Sequence, residues 1–174
     1  ATYGMTETIS HVAVKRLNGP EHSDIYTALP NVRFSLDGRA CLVISAPEID
    51  DAVIVTNDLV DLVSETEFRW LGRYDTVINS GGIKIHPEKV EDKLATFIKT
   101  PFIIASEKDE QLGERVILII EINEKQKTPN YSEAFSVLEN YERPKKIYSI
   151  SKFPFTETEK IKRADIIQLL RKYK

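Results

Sequence analysis

The sequence predicts an α+β chain, in which a β-rich first part is followed by a small α+β domain with a short central sheet flanked by helices. Three observations predict it. Across residues 25–70, short β-rich runs succeed one another with no helical period between them. At Gly81-Gly82 two short apolar runs meet across a link whose missing β-carbons permit the positive φ of a tight hairpin turn. Beyond Pro87, amphipathic helical spacing appears, interleaved with runs too continuously apolar for a strand that faces water.

A chain of 174 residues with 41% hydrophobic content can bury one good core or two small ones. The net charge of −3 argues against a nucleic-acid protein as a whole, but the charge is uneven. Residues 40–67 hold seven acidic side chains and no Lys or Arg, whereas residues 145–174 hold nine basic against three acidic ones. The basic tail points to an anionic partner or to a solvated helix face. Cys41 is the only cysteine, which excludes an intrachain disulfide and a Cys-rich zinc site and points to a reducing, cytoplasmic setting. His11, His22 and His86 are not at metal-ligand spacing. No apolar run approaches the ~20 residues of a membrane span, and no signal peptide is visible.

In chain order, Tyr3-Gly4 offers a flat ring beside a residue with no side chain, suited to stacking on a base, and Thr6 and Glu7 add a hydroxyl and a carboxylate. Residues 11–21 read as loop, with Asn18-Gly19-Pro20 the strongest breaker. Val32 and Phe34 alternate before the hairpin signal Asp37-Gly38, and residues 40–45, 52–56 and 59–63 follow as separate short strands. A strand ends at Trp70-Leu71-Gly72, Arg73-Tyr74-Asp75 forms a polar joint, and residues 76–79 and 83–85 flank Gly81-Gly82. Pro87 suits a first helical turn, behind which Val90, Leu94, Phe97 and Ile98 form one apolar face that must stop before Pro101. Residues 101–106 and 115–122 read as buried strands joined by a polar turn over residues 108–114. Ser132 is the expected cap of a helix burying Ala134, Val137, Leu138 and Tyr141, which Pro144 ends. A strand at residues 147–150 and a helix at residues 164–173 burying Ile166, Ile167, Leu170 and Tyr173 complete the chain.

The string Gly72-Arg73-Tyr74-Asp75, strand, Gly81-Gly82, strand, Pro87-Glu88-Lys89-Val90-Glu91 resembles the joint between the large and small domains of the adenylate-forming superfamily, which comprises acyl-CoA synthetases, luciferases and peptide-synthetase adenylation domains. Three further stretches resemble that family's motifs in the family's order. They are Tyr3-Gly4-Met5-Thr6-Glu7, Thr56-Asn57-Asp58-Leu59 with Asn57 where Gly is usual, and the run from Pro154 through Thr156 and Lys160 to Arg163, with Glu159 where Gly is usual. The resemblance implies that residues 1–72 are the C-terminal β-subdomain of a large domain and residues 73–174 a mobile small domain, hinged near Asp75. It also implies that the chain is a C-terminal fragment of a longer enzyme, inactive alone.

Carried over residue by residue, the resemblance implies that Tyr3 and Gly4 border adenine, that Thr6 meets phosphate oxygens and that Glu7 helps hold Mg²⁺. Asp58 would accept the ribose hydroxyls, one ionised carboxylate being able to accept two charge-assisted bonds. Asp61 is the alternative if the register slips. Arg73, Gly81 and Gly82 join the cofactor-binding set, and Lys160 is the catalytic lysine. The implied reaction joins a small carboxylic acid to the α-phosphate of ATP, releasing pyrophosphate, and then transfers the acyl group from AMP to coenzyme A. The stretch TYGMTETISHVA is similar to o-succinylbenzoate–CoA ligases of menaquinone biosynthesis. Another aryl- or acyl-CoA synthetase is the nearest alternative. A non-catalytic nucleotide-binding or interaction module is the rival from another class, and retention of Lys160 beside Tyr3, Glu7, Asp58 and Asp75 speaks against it.

Overall fold

The computed structural model describes residues 1–122 and 130–172. The chain forms two compact units, Ala1–Asp75 and Thr76–Lys174. The first is a seven-stranded antiparallel sheet in the order β1-β2-β3-β7-β6-β5-β4. Its strands are β1 (Thr2–Gly4), β2 (His11–Val14), β3 (Ile25–Ala28), β4 (Arg33–Leu36), β5 (Cys41–Ala46), β6 (Asp50–Ser64) and β7 (Glu67–Arg73). One face gathers the core around Phe68, which stacks on Tyr26 at 5.3 Å and takes Phe34 edge-on at 4.9 Å. Offset and edge-on pairs of this kind match the negative face and positive edge of aromatic rings.

Two sequence expectations change here. Residues 11–14 are a strand and not a loop, with Val12 and Ala13 fully buried between β1 and β3. The expected break between residues 52–56 and 59–63 is instead a bulge inside one strand. Val43 pairs with Val55 but Cys41 with Leu59, so β6 advances four residues while β5 advances two. The two extra residues of β6 make Thr56-Asn57-Asp58 bulge away from the β5 ladder, the usual way a sheet re-aims side chains. Asp37-Gly38 does turn the β4–β5 hairpin, as a longer loop in which the Asp37 carboxylate accepts the N–H groups of Arg39 (2.8 Å) and Cys41 (2.9 Å).

The second unit holds β8 (Ile78–Ser80), β9 (Ile83–Ile85), α1 (Pro87–Leu94), β10 (Phe102–Asp109), β11 (Gly113–Glu121), α2 (Ser132–Ser136), β12 (Lys146–Ile150) and α3 (Arg163–Lys172). The sheet order is β10-β11-β8-β9, and β12 joins β11 in parallel. Strand β11 is the axis of the unit. Its Val116, Leu118 and Ile120 face the core shared with Val90, Leu94 and Leu138, while Ile117 and Ile119 face the core shared with Ile166 and Phe153. Burial on both faces is why this strand reads as one continuous apolar run.

Helix α1 stops at Leu94, and one further turn, in which the Ile98 N–H bonds Leu94 O at 2.9 Å, buries Ile98 but leaves Phe97 41% exposed. Helix α2 is shorter still, so helical spacing no longer governs Val137 and Tyr141, each 45% exposed. Ser132 is its first helical residue and not its cap. The Asn130 side chain accepts the Ser132 N–H at 2.9 Å, and Tyr131 supplies the buried ring instead. The turn expected over residues 108–114 shrinks to residues 110–112, because cross-strand pairing continues to Asp109 and Gly113. Ile166 and Leu170 of α3 are buried, and Ile167 packs beside them; Tyr173 lies outside the described residues. Among the described residues no helix is long and apolar enough to cross a membrane.

Candidate functional site

In the first unit the β6 bulge brings three separate motifs together. Asp58 lies cross-strand from Arg73, and its Oδ2 accepts the Tyr3 hydroxyl at 2.5 Å, 55 residues away in sequence. Asp58 is only 8% exposed, and its own N–H is held by Thr56 Oγ1 at 3.0 Å. Burial, then the hydrogen bond to Asp58 and its negative charge, push the Tyr3 hydroxyl well above the usual phenol value, so it stays protonated and donates. The Tyr3 ring is half-buried, edge-on to Phe68 (5.1 Å) and Tyr26 (5.7 Å), a firmer setting than a bare ring beside glycine. Thr6 and Glu7 sit exposed on a 3-10 turn, Thr6–Thr8, that follows β1.

Gly4 has a backbone reason to be glycine. A β-carbon there would lie 2.5 Å from Ser10 O and 2.8 Å from His11 Cα, because the β1–β2 pairing slips at this point. No side chain fits so close an approach.

At the end of β7, Arg73 Nε donates to Asp75 Oδ1 at 3.1 Å, and a 3-10 turn, Tyr74–Thr76, follows. Burial pushes the Asp75 carboxyl up, but the bond from Arg73 and its own backbone N–H outweigh it and hold the group below the usual carboxylate range. Asp61, the alternative to Asp58, is exposed and pairs with Arg69 at 2.8 Å, apart from the Tyr3 contact. Asn57 keeps a φ outside the positive range, so its place in a glycine position does not rest on a left-handed conformation. Its Oδ1 instead accepts Arg39 Nη1 at 2.9 Å, and Arg39 is a residue that no local pattern singled out.

In the second unit, Gly81 (φ 58°) and Gly82 (φ 82°) form the two-residue turn of the β8–β9 hairpin, with Ser80 opposite Ile83. Two successive positive φ values match the right-handed twist of the flanking strands. The Gly81 N–H donates to Leu112 O at 2.9 Å, docking the turn on the β10–β11 loop. Lys160 sits on another tight loop, closed where Phe155 bridges Ile161. Thr156 grips the lysine's backbone twice: its N–H donates to Lys160 O (2.8 Å), and its Oγ1 accepts the Lys160 N–H (3.0 Å). Beyond the loop, Arg163 donates to Glu91 Oε2 and to Ile104 O (3.2 Å), and Glu91 Oε1 accepts the Ile104 N–H at 2.6 Å. Burial pushes the Glu91 carboxyl up to about 7, against the opposing pull of Arg163 and of that N–H.

The residue before Lys160 keeps the geometry of the glycine it replaces. Glu159 has a φ of 59°. A side chain in this region costs roughly 1–2 kcal/mol, part of which glycine returns through its freer unfolded chain. Glu159→Gly is therefore expected to raise stability by about 0.5–1 kcal/mol in urea unfolding. Glu157→Gly, whose φ is not positive, should lower it. A loss at Glu159 equal to that at Glu157 would show that the loop does not impose this conformation.

No family model matches the chain. It is similar to the mouse (Mus musculus) mitochondrial acyl-coenzyme A synthetase ACSM1, with 31% identity over 114 residues, 60% of this chain and 20% of that protein. Among solved structures it matches an acyl-CoA synthetase (AMP-forming)/AMP-acid ligase II-like protein from Dyadobacter fermentans, with 39% identity over 97% of this chain and 50% of that one, at a TM-score of 0.52. It also matches the o-succinylbenzoate CoA synthetase of Bacillus subtilis in complex with its acyl-adenylate intermediate, with 19% identity over 95% of this chain and 40% of that one, at a TM-score of 0.75. The matches at 31% and 39% identity support the adenylate-forming superfamily, and the fold is shared with the o-succinylbenzoate CoA synthetase of Bacillus subtilis. The mouse and Dyadobacter proteins are both described as acyl-CoA synthetases, and the chain spans half or less of the length of each.

Proposed function

We propose that the chain supplies the C-terminal part of a cytoplasmic, AMP-forming acid–CoA ligase that activates o-succinylbenzoate. The observation that carries the reading is the meeting of Tyr3, Asp58 and Arg73 at the β6 bulge, where Tyr3 donates to the buried Asp58 carboxylate and Arg73 lies cross-strand from Asp58, so that three motifs distant in sequence come together. That carboxylate spends one oxygen on Tyr3, and its remaining lone pairs can take the ribose hydroxyls of ATP or AMP. Thr6 and Glu7, exposed on their 3-10 turn, serve the phosphates. No group of three or more His, Cys, Asp or Glu that could hold a metal occurs among the described residues. A lone exposed carboxylate at Glu7 suits Mg²⁺, which keeps its waters and takes one or two carboxylates together with phosphate oxygens. The ion's contribution would be to neutralise phosphate charge.

Lys160, held by its backbone on the Thr156 clip, would place one compact positive charge between the acid and the α-phosphate, where negative charge builds as pyrophosphate leaves. The small unit would then turn about Asp75, and the Gly81-Gly82 hairpin, with no side chains at its tip, would admit the thin pantetheine arm of coenzyme A for thioester formation. A broader acyl substrate is the second reading. It is favoured by the identity to acyl-CoA synthetases, 39% and 31%, against 19% to the o-succinylbenzoate enzyme.

ATP–pyrophosphate exchange by the full-length protein with a panel of acids tests both readings. Fastest exchange with o-succinylbenzoate supports the first, and fastest exchange with another aryl or fatty acid replaces it by the second. Nucleotide binding with no exchange for any acid would make the protein a binding module. The pivot has its own test. Proline fixes φ near −65° and biases the preceding Tyr74 away from the helical region, so Asp75→Pro should make adenylate at a near-normal rate and transfer it to coenzyme A poorly. Asp75→Ala, which keeps the torsional freedom, should slow neither step much. An Ala variant as damaged as the Pro variant would make the carboxylate, bonded to Arg73, the essential feature instead.

A further inference from the structure

Arg39 touches both the β6 bulge and the joint. Its guanidinium edge is spoken for on three sides, with Nε bonded to Asp37 Oδ2 (2.8 Å), Nη1 to Asn57 Oδ1 (2.9 Å) and Nη2 to Thr56 O (3.1 Å). Its face lies over the ring of Tyr74, 5.2 Å from the centroid. A planar fork held by its edges keeps its face in one orientation, and an ammonium group cannot do both. The bulge it grips ends in Asp58, and the ring it covers belongs to the residue before Asp75, where the first unit ends. Asn57 is essential to the arrangement, since a glycine there has no side-chain oxygen to offer Nη1.

We propose that Arg39 is a positioning residue that couples the Thr56-Asn57-Asp58 bulge to the joint at Tyr74-Asp75, so that occupancy of the bulge and the freedom of the joint depend on each other. The pin stands on contacts within the first unit, whereas its consequence for catalysis rests on the ligase reading above.

Hydrogen exchange in the full-length protein tests it, followed in peptides covering residues 72–77 and, as a folding control, residues 41–46. Without nucleotide, Arg39→Met should speed exchange over residues 72–77 by about fivefold, with residues 41–46 unchanged. Arg39→Lys, which keeps the charge and loses the fork, should recover less than half of that. Asn57→Gly should speed exchange about two- to threefold without touching Tyr74 itself. The double variant Arg39→Met/Tyr74→Leu should be no faster than the faster single one, as expected of two residues sharing one contact. Wild-type exchange over residues 72–77 in Arg39→Met, or in Asn57→Gly, overturns the proposal. If Arg39→Met also disturbs residues 41–46, Asn57→Gly and Tyr74→Leu carry the same decision.

AMP provides the second arm. Binding, measured separately by calorimetry, should slow exchange over residues 72–77 in the wild type and leave it fast in Arg39→Met. AMP that binds and slows the joint equally in both overturns the coupling. A wild type that binds no AMP, with Arg39→Met still faster over residues 72–77, keeps the pin and removes the nucleotide reading.

Discussion

Arg163→Ala is expected to destabilise the second unit by about 2–3 kcal/mol near pH 8, and by only about 1 kcal/mol near pH 5. The guanidinium joins the start of α3 to Glu91 of α1 and to the backbone of Ile104 in β10, so one substitution cuts a tie among three elements. What remains is a Glu91 side chain only 18% exposed, with the Ile104 N–H as its remaining named partner. The cost falls short of the ~3–5 kcal/mol typical of breaking a fully buried pair because both partners keep some contact with water. The pH dependence follows from burial, which already lifts the Glu91 carboxyl from its ordinary 4.5 to about 7 with Arg163 in place. A carboxyl whose folded value is raised takes up a proton on folding. Its contribution is therefore fully present below the unfolded value and is lost as pH rises from about 4.5 through 7. Removing the cation lifts the folded value further, so the variant's deficit opens over the upper part of that window and beyond it. Urea unfolding of both proteins at pH 5 and pH 8 reads the difference directly. A deficit independent of pH would assign the role of Arg163 to packing and to Ile104 O, and not to the charge of Glu91.

Lys160→Ala is expected to slow acyl-adenylate formation by about 10²- to 10³-fold, the size of losing one preorganised donor from a transition state that develops charge. Thioester formation from pre-made adenylate should be nearly spared if, as proposed above, that step uses the other pose of the small unit. Thr156 holds the backbone of Lys160 at both its N–H and its carbonyl, so the truncation removes the side chain and leaves the loop in place. Single-turnover measurement of the two half-reactions in the full-length protein separates the cases. An equal fall in both would mean that Lys160 is structural or that another lysine acts.

The sequence by itself determined the α+β class, the hairpin at Gly81-Gly82, the helix behind Pro87 and the identity of the motif residues. These are local matters: a turn that needs positive φ, a ring that fixes a first helical turn, and an apolar face recurring at 3.6 residues are all written within a few neighbouring positions. It also marked Asn57 and Glu159 as departures from the family pattern. It could not say how each was accommodated, since one proves to supply a hydrogen-bond acceptor to Arg39 and the other adopts the φ of the glycine it replaces. Only the tertiary structure decided the rest. Residues 11–14 became a strand because partners on both sides complete their hydrogen bonds, and local propensity carries no record of those partners. The break read between residues 52–56 and 59–63 became a bulge because β5 lends β6 a continuous edge on which the extra residues must be expelled. Tyr3 and Asp58, 55 residues apart, share a proton donor and its acceptor because strand order, not sequence order, sets which side chains meet, and the same rule hid Arg39 and the Arg163–Glu91 pair until the strands and helices were in place.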